Sequence, residues 1–215
     1  MKKLLDELQE PPMDVRKRKT RRRIVKAATD AIVRHGFRRA SIDGIAKAAG
    51  IAKGTVYLYF PSKTDLLVGV LRHERRTQLE TLLPKLRRDL APEARLRVWL
   101  EEELRSRASM PISQLAIGGD IAVKAALDEV DPTTRQRLLG IDPAFVEHLV
   151  TSGPWASEGA ADRVAVLLAV VYAGVPEERL RGGISPAQYA MTLSRLLVDG
   201  IAGAPQRAAP PSPWF

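Results

Sequence analysis

The chain reads as an all-α protein, with an N-terminal three-helix domain that contains a helix-turn-helix and a larger helical domain after it. Three observations predict this. Apolar residues recur at i, i+3, i+4 and i+7, as in Ile42, Ile45, Ala46 and Ala49, which is one face of a helix. Helix starters stand ahead of such stripes at Ser41, Ser62, Asp131-Pro132, Asp142-Pro143 and Ser185-Pro186. Glycine and proline punctuate the stretches between.

Taken in order, residues 1–15 read as a flexible tail, because Glu10-Pro11-Pro12 breaks any helix begun by the leucines before it. From Arg16 to Arg23 seven of eight positions are cationic, and such a run repels itself into a disordered arm or a solvated face. Ile24, Ala27, Ala28, Ala31 and Ile32 then form an amphipathic support helix to His35. Gly36 closes it and Phe37 is positioned to pack back.

Ser41 can cap the next helix, Asp43 places negative charge at its positive end, and Gly50 suits the left-handed residue that stops it. A second run, Lys53 to Phe60, turns Val56 and Phe60 inward and leaves Lys53, Thr55, Tyr57 and Tyr59 for other faces; Pro61 ends it. Two short helices around a glycine corner form the helix-turn-helix pattern, whose second helix enters the major groove of DNA. On spacing alone, a helical hairpin of an enzyme fits as well.

Ser62-Lys63-Thr64-Asp65 is a capping pattern ahead of Leu66, Leu67, Val70 and Leu71, so a fourth helix runs toward Leu82. The domain boundary is set near residue 80, giving a helix-turn-helix domain over 16–80 and a larger helical domain over 81–202, with a loose tail over 203–215. Ala91-Pro92 opens a helix that turns Leu96, Trp99, Leu100 and Leu104 inward and stops at Pro111. Leu115 to Leu127 reads as one helix. Ser152-Gly153-Pro154 is a loop, Asp162 to Tyr172 is apolar nearly all round, and the last helix carries Tyr189, Leu193, Leu196 and Leu197 as its stripe.

Charge is lopsided. Residues 1–75 hold 18 Lys or Arg against 8 Asp or Glu, whereas residues 76–215 hold 16 against 17. The excess positive charge thus sits on the segment with the helix-turn-helix, the footprint of a phosphate-binding domain. Cysteine is absent, so disulfides and thiolate metal sites are excluded, which suits a reducing cytoplasm. The longest apolar run, Val164 to Val175, is twelve residues, short of the roughly 20 that span a bilayer. The histidines His35, His73 and His148 lack metal spacing, no GxGxxG or Walker loop occurs, and consecutive Glu101-Glu102-Glu103 cannot face one another on a helix. Neither an enzyme nor a bound cofactor or metal is indicated.

Ile45-Ala46, Ala49-Gly50-Ile51, Gly54-Thr55-Val56-Tyr57-Leu58-Tyr59-Phe60 and Ser62-Lys63 together resemble the DNA-binding signature of the TetR (tetracycline repressor) family of transcriptional regulators, over roughly residues 20–70. The rest of the chain resembles that family only in length and helical character. The resemblance implies a homodimeric, ligand-responsive repressor on a double-stranded, near-palindromic operator. Lys53 and Thr55 would meet base edges, lysine at guanine and the threonine methyl at thymine, with Gly54 permitting close approach. Tyr57, Tyr59, Ser41 and Lys63 would contact phosphates, though Tyr59 suits the core and Thr55 the turn equally. Arg16, Lys17 and Arg18 would become ordered on DNA, adding affinity without sequence preference.

The family arrangement implies a dimer interface at Val166, Val170, Tyr189, Leu193, Leu196 and Leu197, residues that could instead fill the subunit core. A pocket for a small, apolar effector would draw on Trp99, Met110, Asp120, Phe145, His148, Trp155 and Tyr172, any of which could also be ordinary core or, for Asp120, a solvated face. A helical ligand-binding or adaptor protein that has lost operator specificity is the competing reading.

Overall fold

A computed structural model describes residues 8, 12–86, 89–141, 143–152, 160–173 and 183–202, with side chains except those of 107, 108, 143, 160, 172, 201 and 202. Among the described residues the regular structure is helical: α1 (Val15–Arg39), α2 (Ile42–Ala49), α3 (Lys53–Tyr59), α4 (Lys63–Leu82), a 3-10 turn (Leu83–Lys85), α5 (Pro92–Ala108), α6 (Pro111–Ile117), α7 (Ile121–Asp128), α8 (Pro132–Leu139), α9 (Pro143–Thr151), α10 (Ala160–Ala173) and α11 (Pro186–Ala202). None is long and apolar enough to cross a membrane.

The chain divides into two compact units: Met1–Lys85 with Ser106–Asp142, and Leu86–Arg105 with Pro143–Phe215. The first unit therefore takes in residues 106–142 as well as the helices before residue 80. Its core is one cluster that includes Ile24, Ala28 and Ile32 of α1, Ile45 of α2, Val56 of α3, Leu66, Leu67, Val70, Leu71 and Leu79 of α4, and Ile112, Val123 and Leu138 of the returning helices. Leu8, inside the segment read as a tail, is buried in the same cluster.

Local chemistry explains where these helices begin and end. The Asp14 carboxylate accepts from the Lys17 backbone N–H at 2.8 Å and starts α1 two turns earlier than the support helix was expected, so Arg16–Arg23 is helical rather than a disordered arm. Gly36, at φ 75°, kinks α1 and lets buried Phe37 fold back. Ser62 and Asp65 form a reciprocal capping box at the start of α4.

Residues 115–127 are not a single helix. Gly119, at φ 81°, breaks the run, and Asp120 caps α7 by accepting from the Val123 N–H at 2.9 Å. Across the same unit, Glu74 of α4 accepts from the backbone N–H groups of Ile112 and Ser113 at 3.1 and 2.9 Å and from the Ser113 hydroxyl at 2.7 Å, satisfying orphan donors of α6.

In the second unit, Leu96, Trp99, Leu100 and Leu104 of α5 are fully buried, α9 packs on α10, and an ion pair joins Arg97 of α5 to Asp199 of α11. The inward stripe of α11 is Ala190, Ser194 and Val198. Tyr189, Leu193 and Leu197 are half-buried and Leu196 is exposed, so the expected leucine stripe does not fill the subunit core.

Candidate nucleic-acid interface

The interface is built around α3, seven residues long and held by two anchors: Val56 is completely buried and Phe60 is 2% exposed. The corner before it depends on Gly50, which sits at φ 63°, ψ 43° where α2 ends, while the Ile51 N–H returns to the Ala46 carbonyl at 3.0 Å. Arg23 of α1 donates to the carbonyls of Ala49 and Gly50 and ties that corner to the support helix. Arg21, almost completely buried, lies 4.3 Å over the Phe60 ring. The repulsive-run reading missed both arginines as fold-stabilising groups; the available signal was that Arg21 falls on the stripe of Ile24, Ala28 and Ile32 at helical spacing.

Outward from these anchors, Lys53, Gly54, Tyr57 and Leu58 are exposed. Lys53 Nζ stands 3.0 Å from the Asp43 carboxylate of α2. That hydrogen bond, seconded by the charge of Asp43, raises the lysine above its ordinary pKa and keeps it cationic. Thr55 is half-buried, with its N–H on the Ala52 carbonyl at 2.9 Å. Tyr59 is half-buried against the core cluster. Ser41 accepts from the Gly44 N–H at 3.1 Å and so serves as a helix cap.

Lys63 is half-buried rather than free. Its Nζ donates to the Arg38 carbonyl at 3.2 Å and lies 4.7 Å over the Phe37 ring, and burial pulls its pKa below the usual lysine value. Arg16, Lys17 and Arg18 are exposed on the first turn of α1, with Arg18 donating to the Met13 carbonyl at 3.1 Å. A groove of about 690 Å³ between α1 and α2 adds Lys26, Arg34 and Arg39 to this positive surface, with Asp30 in its lining paired to Lys26 at 2.7 Å. No local pattern in the sequence marks that groove, because its two walls come from separate helices.

Of the residues expected to line an effector pocket, the side chains of five are described. Trp99, Phe145 and His148 lie in the second unit, buried, half-buried and exposed respectively, whereas Met110 and Asp120 belong to the first. Asp120 caps α7. Trp155 and the side chain of Tyr172 lie outside the described residues.

The family model described as bacterial regulatory proteins, tetR family, matches residues 24–70, the span from the support helix through α3 into α4. Over that stretch the chain matches the tetR family. Among curated relatives, the fatty acid metabolism regulator protein of Bacillus subtilis is 36% identical over 59 residues, which is 27% of this chain and 30% of that protein. The HTH-type transcriptional regulator RutR of Escherichia coli K12 is 28% identical over 199 residues, covering 83% of this chain and 88% of its own length. The fold of FadR from Bacillus subtilis, solved in complex with stearoyl-CoA, is similar at a TM-score of 0.63 and 19% identity, over 83% of this chain and 97% of that one. The matched family is described as regulatory proteins and these relatives as regulators, none of them as an enzyme.

Proposed function

We propose that the chain is a dimeric, cytoplasmic repressor that binds a near-palindromic operator through α3 of each subunit and leaves it when a small apolar effector binds within residues 81–202. The observation that carries the DNA-reading part is the exposed face of α3, where Lys53, Gly54 and Tyr57 stand clear of the core that Val56 and Phe60 anchor. In this reading Lys53 donates to a guanine edge. Thr55 borders a neighbouring base, and Tyr57, Tyr59 and Ser41 hold phosphates. Lys63, Arg16, Lys17 and Arg18 add sequence-independent affinity.

Dimerisation is supported by the apolar surface of the second unit. Val166 of α10 is 53% exposed and Leu196 of α11 67%. Val170, Tyr189, Leu193 and Leu197 are half-buried. On α11 the fully buried residues are Ala190, Ser194 and Val198, and the larger Leu196 stands outward, an arrangement suited to a partner surface. For the effector, support comes from Trp99, whose indole N–H is fully buried without a hydrogen-bond partner among the described residues and would gain one from a ligand acceptor. The acyl ligand of the Bacillus subtilis FadR structure is consistent with an apolar molecule.

Selection from a random duplex library, followed by shift assays on the enriched sequences, tests the proposal. A repressor of this kind returns a two-fold symmetric sequence, and Lys53→Ala relaxes preference at one base pair per half-site by about tenfold or more. Salt-sensitive binding without enrichment would favour the adaptor reading instead.

A further inference from the structure

Two residues of α3 have no use inside the protein, and both lie on one strip of the helix. Gly54 has no positive φ, and a Cβ built on it meets no atom within 4 Å. Neither turn geometry nor packing therefore requires glycine, although glycine is a poorer helix residue than alanine. Leu58 follows at i+4, on the same face, and is 85% exposed. A bare stretch of backbone thus adjoins an unpartnered isobutyl group, flanked by Lys53 and Tyr57 at the neighbouring i, i+4 positions.

The surroundings identify the partner. A large excess of positive charge in residues 1–75 attracts polyanions, and a major groove presents one apolar group on its base edges, the 5-methyl of thymine. Resting on the DNA-binding role argued above, we propose that Leu58 is a specificity-determining residue that packs on a thymine methyl, with Gly54 leaving room for the helix backbone to approach. The threonine methyl first considered for that contact belongs to a half-buried side chain, whereas Leu58 stands clear.

The test uses the full chain and the duplex returned by selection, with each thymine replaced in turn by deoxyuridine, which removes the methyl and keeps every hydrogen bond. Wild type should lose about fourfold in affinity at one thymine per half-site, the value of one buried methyl. Leu58→Ala should bind the thymine duplex more weakly and respond to no methyl, while Leu58→Met retains the response. Gly54→Ala should raise the melting temperature and yet weaken binding several-fold. Wild-type indifference to uracil, or an unchanged uracil penalty in Leu58→Ala, would overturn the assignment. So would unaltered affinity of Leu58→Ala for every duplex, which would turn the strip toward a protein partner. Failure of the library to enrich any sequence removes the operator reading and this assignment together, whereas an enriched sequence blind to methyl groups removes the leucine assignment alone.

Discussion

Lys63 shows how one side chain can serve the fold and a ligand at once. It was legible as a cation at a helix start, next to a signature that implies phosphate contact. What no spacing could reveal is that its Nζ reaches the Arg38 carbonyl and the Phe37 ring, since both lie on the far side of the kink at Gly36. Burial disfavours the charge, and the carbonyl and ring recover only part of that cost. By losing both contacts, Lys63→Ala should lower unfolding free energy by about 1 kcal/mol as well as reduce the salt slope of DNA binding by about one unit. Denaturant unfolding and binding measured across salt read the two effects separately; unchanged stability would show the tie to α1 to be idle. Arg21 and Arg23 teach the same lesson in reverse, because a run of seven cations hid two that stabilise α3 and its corner.

Helix ends were the most legible feature of this chain. Ser41, Ser62 and Asp131 cap as their positions suggest, because capping depends on neighbours three residues away. The break at Gly119 was missed because the apolar pattern runs through it, and a double glycine only permits a turn; packing decides whether one forms. The bond from Glu74 to the start of α6 joins residues 38 and 39 positions apart, and no local rule anticipates it. Its pH dependence is a test. Burial raises the Glu74 pKa despite the three hydrogen bonds that oppose the shift. A carboxyl whose folded value lies above its unfolded one favours folding below the ordinary glutamate pKa of about 4.3 and loses that contribution as pH rises through the raised value. The melting-temperature difference between wild type and Glu74→Gln should accordingly drift against wild type over that window and level off above it. A difference constant with pH would exclude a raised Glu74.

At the scale of the whole molecule, one subunit leaves apolar side chains of its second unit uncovered. α10 is apolar nearly all round and so needs another element or another subunit against it, and only Leu167 and Val171 of its described side chains are buried. With Leu196 and its neighbours on α11, this leaves apolar area that a second copy would cover. Leu196→Glu and Val166→Glu should each shift the chain from dimer to monomer in sedimentation at micromolar concentration. Melting should lose its concentration dependence at the same time. A monomeric wild type would defeat the two-fold reading.

The order of helices, the positive N-terminal third and the motif of the reading helix were present in the residues themselves, because helix periodicity, capping and net charge are set by near neighbours and by composition. Which side chains stand free on α3, how Arg21, Lys63 and Glu74 are consumed inside the first unit, and which way the leucines of α11 point required the folded chain. Those properties belong to pairs of residues far apart in sequence, and burial decides them only when distant helices compete for the same surface.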